Sequence, residues 1–229
     1  ELARVNLRLS RAADASSDQT SLLDQRDSLL QQLSGYVDVA ATINADQTVS
    51  VKVGGADLVT GGSSYALAMS AAGNGTISFT LDGSPVTPTS GALAGKAQAL
   101  TKLADVRSTL DDLAGDVITA VNGSQATGAS LNGNPGTPML SGGGAADMSL
   151  AFEDGKLIAT APAGAGPNSR DPANLTTLRN ALNTADPAGR MDSLLFDVSS
   201  TVAGRTITRD ALSSIASSAK VALAAQAGV

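Results

Sequence analysis

The stretch Ser21–Val39 reads SLLDQRDSLLQQLSGYVDV and contains the change of pattern that decides the fold. Leucines recur at helical spacing from Leu22 to Leu33, and Ser34-Gly35 supplies residues typical of a helix end. From Val37 onward apolar and polar residues alternate, which indicates a strand that is buried on one face. The sequence therefore predicts a helix that is followed directly by a β region.

The residues before this stretch predict another, shorter helix. Leu2, Val5 and Leu9 fall on one helical face, and the polar run Asp14–Thr20 then interrupts the pattern. Ser21–Asp24 matches a capping box, in which the hydroxyl and the carboxylate bind free backbone N–H groups. The sequence therefore predicts helix, short loop and helix, with the second helix beginning at Ser21.

After Val37 the sequence predicts an antiparallel meander of short strands that are separated by glycine-rich turns. The candidate strands are Val37–Ile43, Val49–Val53, Leu58–Val59, Tyr65–Met69 and Thr76–Leu81. Pro85–Gly91 is predicted to be a linker, because it consists mainly of Pro, Ser, Thr and Gly.

The rest of the chain is predicted to be mainly helical. A heptad seam from Ala99 to Ala120 predicts a helix that ends at Asn122-Gly123. Leu175–Leu182 predicts a short amphipathic helix that stops at Asp186–Gly189. A last apolar stripe begins at Met191, and Gly204 either kinks one long helix or separates two.

A small hairpin is predicted at residues 147–160. Met148, Leu150 and Phe152 alternate, and Leu157-Ile158 follows across Asp154-Gly155, a favoured type I′ turn dipeptide. The predicted fold class is α+β: an elongated helical bundle with an inserted antiparallel β domain and this hairpin. The predicted segments are residues 1–36 (helical), 37–92 (β) and 93–229 (helical), and the leucines of 22–33 are expected to pack against the helix of 103–121.

Composition excludes several functional classes. The 229 residues include no Cys and no His, so thiol nucleophiles, disulfides, thiolate metal sites and imidazole general bases are absent. The net charge of −6 argues against nucleic acid as a partner, and no apolar run approaches the length of about 18 residues that a membrane span needs. Only 2% of the residues are aromatic, which disfavours a deep ligand pocket.

Two motifs resemble enzyme signatures, but both lack required parts. Ser217–Lys220 matches the S-x-x-K pattern of penicillin-recognising enzymes, and the partner motifs of that class are absent. Gly91–Ala97 is one residue shorter than a phosphate-binding loop and has Ala97 where a magnesium-binding hydroxyl is needed. We interpret both as parts of helices.

Paired carboxylates and glycosylation sequons complete the candidates. The carboxylate pairs are Asp24 with Asp27, Asp111-Asp112 and Glu153-Asp154, and the sequons begin at Asn74 and Asn122. Carboxylate pairs that hydrolyse glycosides need a cleft with aromatic side chains, so solvated surface is the favoured interpretation. The sequons contain Asn-Gly, which favours turns or caps. No catalytic, cofactor-binding or metal-binding residue is predicted.

Several segments resemble one protein family in order and spacing. Ser21–Val39 resembles the L-L-D-Q-R-D-x-L-L-x-x-L-S-x-x-V-D-V segment of the first flagellar hook-associated protein family, and Asn132–Met139 (NGNPGTPM) is similar to its N-G-N-P-G-T turn. Asn174–Leu182 and Leu194–Gln226 are similar to its short N-x-x-x-L-x-x-L segment and its penultimate long helix. Residues 40–92 and 140–170 match only in type, and Ser199–Ser218 is more polar than the family pattern.

The resemblance implies a non-enzymatic structural subunit of the bacterial flagellum, at the junction between hook and filament. It implies export through the flagellar apparatus to the cell exterior and assembly with copies of itself in a ring. The implied partners are the hook protein, the second junction protein or flagellin, and an export chaperone on the full-length chain. Because the chain starts at Glu1 and lacks the family's axial terminal helices, it is expected to be a central fragment that is monomeric alone.

Three alternatives remain open at the level of sequence. The chain could be the middle region of a flagellin or hook protein, which also belong to the flagellum. It could be an extracellular adhesin-type binding module, for which the glycine-rich β region is the only support. It could also be an enzyme domain, although no cleft chemistry is visible.

Overall fold

The structure is a computed structural model that describes residues 1–12 and 16–227. The chain divides into two compact units, Glu1–Asp105 and Val106–Val229. Both helices and antiparallel strands are present, so the predicted α+β class is confirmed. The division into segments 1–36, 37–92 and 93–229 stays a prediction.

The first unit contains two helices, two antiparallel sheets and the beginning of a third helix. The helices are α1 (Leu2–Leu9), α2 (Ser17–Tyr36) and α3 (Gly91–Ala126). The first sheet has the order β1-β2-β3-β4, with strands Ala40–Ile43, Val49–Val53, Ala56–Thr60 and Ser63–Ser64. The second has the order β5-β6-β7, with strands Leu67–Ala71, Ile77–Leu81 and Ser84–Val86. Consecutive strands pair within each sheet, as a meander requires.

Three local predictions in this unit are wrong. Helix α2 begins at Ser17, because the Ser16 hydroxyl accepts a hydrogen bond from the Gln19 backbone N–H and caps it there. The predicted capping box at Ser21–Asp24 therefore lies inside the helix, and part of the predicted Asp14–Thr20 loop falls outside the described residues. Pro85 lies in β7 rather than in a linker; among the described strands β7 is an edge strand that pairs with β6, and edge strands tolerate proline.

The leucines of α2 form the core of the first unit. Leu22 is fully buried with Val5 and Leu9 of α1. The next leucines along the helix pack on a cluster of α1 and sheet residues; they are Leu29, Leu30 and Leu33, and the cluster is Leu2, Ala3, Val49, Val51 and Val59. The expected packing of the 22–33 leucines on the helix of 103–121 stays a prediction.

The second unit contains the remainder of α3, four short strands and two helices. The strands are β8 (Gly128–Ala129), β9 (Leu140–Ser141), β10 (Ser149–Leu150) and β11 (Ala161–Pro162), and the helices are α4 (Ala173–Ala185) and α5 (Pro187–Ala227). β9 pairs with β10, and β8 pairs with β11. The predicted stop between α4 and α5 is confirmed: Asp186 adopts a left-handed conformation and Pro187 opens α5.

The hairpin predicted at residues 147–160 does not form. The Asp154 carboxylate accepts a hydrogen bond from the Lys156 N–H and caps a 3₁₀ turn at Gly155–Leu157 instead of a type I′ turn. The strand before this turn, β10, pairs with β9, and the strand after it, β11, pairs with β8.

One helix is longer than predicted, and the structure decides between the two alternatives that the sequence left open for another. Helix α3 continues through Asn122-Gly123 to Ala126, because the Asn122 side chain bonds to the backbone of β9 rather than capping its own helix. Helix α5 runs through Gly204 without a break, so residues 187–227 form one helix rather than two.

Candidate assembly surface

The second half of α5 is the largest exposed apolar element among the described residues. Every residue from Val202 to Gln226 is exposed, on all sides of the helix. Phe196 is 76% exposed and Ile207 is 70% exposed. The other large apolar side chains that α5 exposes are Leu195, Val202, Leu212, Ile215, Val221 and Leu223. A soluble helix normally buries such side chains, so this segment is a candidate interaction surface.

Helix α5 carries apolar side chains on two opposite faces. On one face the residues Met191, Leu194, Val198 and Thr201 are half-buried at alternating three- and four-residue steps. The Arg190 guanidinium, at the start of this helix, forms an ion pair with Asp116 of α3. On the opposite face lie three exposed residues, Phe196, Ile207 and Val221. Ile207 follows Phe196 by about three helical turns, and Val221 follows Ile207 by about four. A helix that is apolar on two faces packs between neighbours, and only one face has a partial cover here.

In the first unit a buried amide attaches α1 to the first sheet. Asn6 is fully buried; its Nδ2 donates to the Val49 and Gly61 carbonyls, both at 2.8 Å, and its Oδ1 accepts from the Val49 N–H at 3.0 Å. All polar atoms of the amide are therefore used, which removes the cost of burying them. Sequence reasoning missed Asn6, although a polar residue between Val5 and Leu9 on an apolar helix face was a visible signal.

A buried guanidinium attaches α2 to the loop between β1 and β2. Arg26 is 6% exposed, and one of its terminal nitrogens donates to the Gln47 carbonyl at 2.8 Å. Its Nε donates to the Asp27 carboxylate, also at 2.8 Å. Because Arg26 lies in the LLDQRD stretch, this contact gives a structural reason for an arginine at that place.

The two ends of the β region are tied together beside α2. The Asp38 carboxylate accepts hydrogen bonds from the N–H and the hydroxyl of Thr89, at 2.9 and 2.7 Å. Partial burial raises the pKa of Asp38, but these hydrogen bonds outweigh it and the net pKa is lower than usual. Gly91 has a φ of +81°, and a Cβ there would lie 2.6 Å from the backbone of Tyr36 and Val37. The segment that leaves the β region at Gly91 therefore contacts the segment that enters it at Tyr36 and Val37.

The second unit has its own buried amide anchor. The Nδ2 of Asn174 donates to the Ser124 and Ala159 carbonyls, at 2.8 and 2.7 Å. A Cβ on Gly128 would lie 2.2 Å from this nitrogen, so the close approach requires glycine. Gln125 is also buried, and its Oε1 accepts from the Ala159 N–H at 2.6 Å. Asn174 thereby fixes the start of α4 against the end of α3.

The sequence matches the model of a known protein family. The model described as the flagellar hook-associated protein FlgK helical domain matches residues 1–140, more than half of the chain. The chain belongs to the FlgK family. The matched range includes α1, α2, both sheets of the first unit and all of α3.

A solved structure extends the comparison. The flagellar hook junction protein FlgK from Burkholderia pseudomallei is similar, with 28% sequence identity and a TM-score of 0.50. The match covers 61% of this chain and 28% of that chain, so the present chain corresponds to much less than two thirds of the Burkholderia protein. No match was found among curated proteins.

The motifs that resemble the FlgK family contribute to packing. Asn174 is the buried anchor described above, and the Asn132–Thr137 turn follows β8. In that turn the Gly133 N–H donates to the Ser130 carbonyl at 2.9 Å, and the Ser130 N–H donates to the Asn134 carbonyl at 2.8 Å. A Cβ on Gly136 would lie 2.1 Å from the Gln125 carbonyl oxygen, so the turn lies directly on the end of α3.

Both enzyme-like motifs lie in helices, as predicted. Ser217 and Lys220 lie on the exposed part of α5, and Gly91–Ala97 is the start of α3. The Asp111 carboxylate accepts a hydrogen bond from the Ala145 N–H at 2.9 Å, whereas Asp112 is exposed. The absence of catalytic residues stays a prediction.

The remaining candidates also have local roles. Asp27 bonds to Arg26, Asp24 is exposed, and Asp154 caps the 3₁₀ turn. The Asn74 sequon lies in the turn between β5 and β6, and the Asn122 sequon lies inside α3. Among residues 1–12 and 16–227, no three acidic side chains are grouped as a metal site would require. No helix in the same ranges is both long and apolar enough to cross a membrane.

Proposed function

We propose that the chain is part of a structural subunit of the bacterial flagellum that joins the hook to the filament. The observation that carries the proposal is the FlgK family match over residues 1–140. The uncovered apolar face of α5 supports it, because a subunit that acts by assembly needs a surface that is complete only in the assembly. The subunit works outside the cell, after export through the flagellar apparatus, and has no catalytic role.

The proposed partners follow from this place in the flagellum. Copies of the same subunit form a ring through lateral contacts, and axial contacts reach the hook protein on one side and the second junction protein or flagellin on the other. An export chaperone binds the full-length chain before assembly. We assign the exposed face of Phe196, Ile207 and Val221 to these assembly contacts.

The chain alone is proposed to be monomeric. Arg205 and Arg209 lie one helical turn apart, on the line that continues the half-buried face of α5, and both are exposed. Parallel, in-register pairing of two α5 helices along this line brings each arginine close to its counterpart, which opposes association. Light scattering at several protein concentrations tests this: a constant mass supports the monomer, and a mass that doubles with concentration contradicts it.

Deletion of the full-length gene tests the function. Cells without it are expected to build hooks that carry no filaments and to release flagellin into the medium, as electron microscopy and immunoblotting show. Filaments that still attach to hooks contradict the proposal, and loss of the hook itself points to the hook-protein alternative.

Complementation tests the role of α5. Full-length protein with Phe196→Ala, Ile207→Ala and Val221→Ala is expected to be exported but not to restore filaments. Alanine keeps the helical propensity, so only the exposed apolar face changes. The control replaces Leu150, which is 61% exposed in β10, by alanine and is expected to restore filaments. Detection of the triple variant in the culture medium separates failed assembly from failed export, and full restoration by it removes α5 from the assembly surface.

A further inference from the structure

The chain contains three Asn-Gly dipeptides, at Asn74, Asn122 and Asn132, in three different environments. In such a dipeptide the glycine nitrogen has no neighbouring Cβ to shield it, so it can attack the asparagine side chain. Asparagine is for this reason a chemically labile residue. The structure allows the three sites to be ranked.

We propose that Asn74 is a site of spontaneous deamidation in the folded protein. The Gly75 nitrogen loses its proton to solvent and attacks Cγ of Asn74. A Cγ–N bond forms, Nδ2 takes up a proton from solvent, and the Cγ–Nδ2 bond breaks, so that Nδ2 leaves as ammonia and a five-membered succinimide remains. Water then adds to one of the two ring carbonyls and yields aspartate or isoaspartate. Water is the only co-reactant.

The turn between β5 and β6 presents Asn74 for this reaction. Asn74 is exposed, and its Oδ1 accepts hydrogen bonds from the N–H and the hydroxyl of Thr76, at 3.1 and 2.8 Å. Two donors on this oxygen draw electron density from Cγ and make it more electrophilic. Within the described residues Nδ2 has no hydrogen-bond partner, so nothing retains the leaving group.

The same turn can open at small cost. It is a three-residue loop in which the Ala72 N–H donates to the Thr76 carbonyl at 2.8 Å and the Gly75 N–H donates to the Ala72 carbonyl at 2.9 Å. Only the second of these bonds engages the nucleophile. A Cβ built on Gly73 or Gly75 meets nothing within 4 Å, so no other part of the described chain holds the loop in place.

Asn122 is protected. Its Nδ2 donates to the Leu140 carbonyl at 2.8 Å, and its Oδ1 accepts from the N–H groups of Met139 and Leu140 at 2.8 and 2.9 Å. Attack on its Cγ requires the loss of these three bonds and distortion of α3 around Gly123. This site is therefore the slowest of the three.

Asn132 is intermediate. Its turn has the same backbone hydrogen bonds as the β5–β6 turn, and its side chain is exposed. However, Leu131 bonds to the Lys156 carbonyl and to the Asn168 N–H, and a Cβ on Gly133 would lie 2.9 Å from Pro167. These contacts hold the loop closed, so Asn132 reacts more slowly than Asn74.

The β1–β2 loop shows what the aspartate product would look like. There the Asn44 N–H donates to the Thr48 carbonyl and the Gln47 N–H to the Asn44 carbonyl, as in the β5–β6 turn. Asp46 takes the place of Asn74, and its carboxylate accepts from the N–H and the hydroxyl of Thr48 at 3.1 and 2.6 Å. Aspartate at position 74 therefore fits the turn, and these bonds lower the pKa of Asp46. Isoaspartate lengthens the main chain by one methylene, so it disrupts the turn.

Peptide mapping by mass spectrometry tests the ranking. The purified chain is incubated in mildly alkaline buffer at physiological temperature, with and without urea. In buffer, conversion at Asn74 is expected to be several-fold faster than at Asn132 and faster still than at Asn122, with isoaspartate among the products. In urea the three rates are expected to converge. Equal native rates at Asn74 and Asn122, or an unchanged ranking in urea, overturn the proposal.

Two variants test the chemistry at Asn74. Thr76→Val removes the hydroxyl donor to Oδ1 and is expected to slow conversion. Gly75→Ala shields the nitrogen and is expected to slow it further, although the φ of +86° strains an alanine there. Each variant is compared in urea as well, where strain in the folded turn has no effect. Gly75→Ala with undiminished conversion in urea contradicts attack by the backbone nitrogen.

Discussion

Helix α2 and the second half of α5 are both helical segments with several large aliphatic residues, but their surroundings differ completely. Leu22 of α2 is fully buried, whereas Leu212 of α5 is 60% exposed. The partners of α2 are its neighbours in sequence, α1 and the first sheet, which the chain itself supplies. An apolar stripe in a helix therefore does not by itself tell whether the chain supplies the side chains that cover it.

The first prediction concerns the covered helix. Leu22→Ala is expected to lower the free energy of unfolding of the first unit by about 2–5 kcal/mol, because it removes buried methyl groups and leaves a cavity. Urea denaturation of the whole chain, followed by circular dichroism, measures the change. A loss below about 1 kcal/mol would mean that neighbouring side chains refill the site or that Leu22 is less well packed than the structure shows.

The second prediction concerns Asn6, the buried amide that attaches α1 to the first sheet. Asn6→Ala is expected to cost about 2 kcal/mol, because the buried backbone groups of Val49 and the half-buried carbonyl of Gly61 lose a hydrogen-bond partner. The control is Asn132→Ala, whose side chain is exposed and is expected to change stability by less than about 0.5 kcal/mol. Equal effects in the two variants would show that water replaces the amide of Asn6.

The sequence predicted those parts of the fold that depend on local patterns. The strands Val49–Val53 and Thr76–Leu81 were recognisable, because alternation over a few residues determines which face is buried. The helix pair at the start was also recognisable from leucine spacing. The resemblance of Ser21–Val39 and Asn132–Met139 to one family predicted the family itself, which the match over residues 1–140 confirms.

The sequence did not predict features that depend on distant contacts. Asp154-Gly155 has the composition of a hairpin turn, but the pairing of Ala161–Pro162 with Gly128–Ala129 draws the chain elsewhere. Asn122 was predicted to end α3, but its side chain donates a hydrogen bond to the Leu140 carbonyl of β9 instead. The position of the exposed surface could not be predicted either. The apolar residues of α2 and α5 have similar spacing in the sequence, and only the structure shows that one set is buried and the other exposed.

The third prediction refines the polar contact between α2 and the sheet. Gln47 accepts the Arg26 hydrogen bond with its carbonyl and has a φ of 63°, a left-handed conformation that costs a residue with a Cβ roughly 1–2 kcal/mol. Gln47→Gly keeps the carbonyl and removes this strain, but it adds about 0.5–1 kcal/mol of unfolded-state entropy. A net gain of about 0.5 kcal/mol is expected, whereas Gln47→Ala is expected to be neutral. Destabilisation by Gln47→Gly would show that the side chain of Gln47 itself contributes to stability.

The last and smallest expected effect is at the uncovered helix. Leu212→Ala makes the same chemical change as Leu22→Ala, but it is expected to alter the unfolding free energy of the chain alone by less than about 0.5 kcal/mol. Leu212 is already largely in water, and alanine is at least as good a helix former. The same urea denaturation measures it, at two protein concentrations. A loss of about 2 kcal/mol or more would mean that this face is covered in the isolated chain; if that loss grew with concentration, the cover would be a second copy, and the proposed monomer would be wrong.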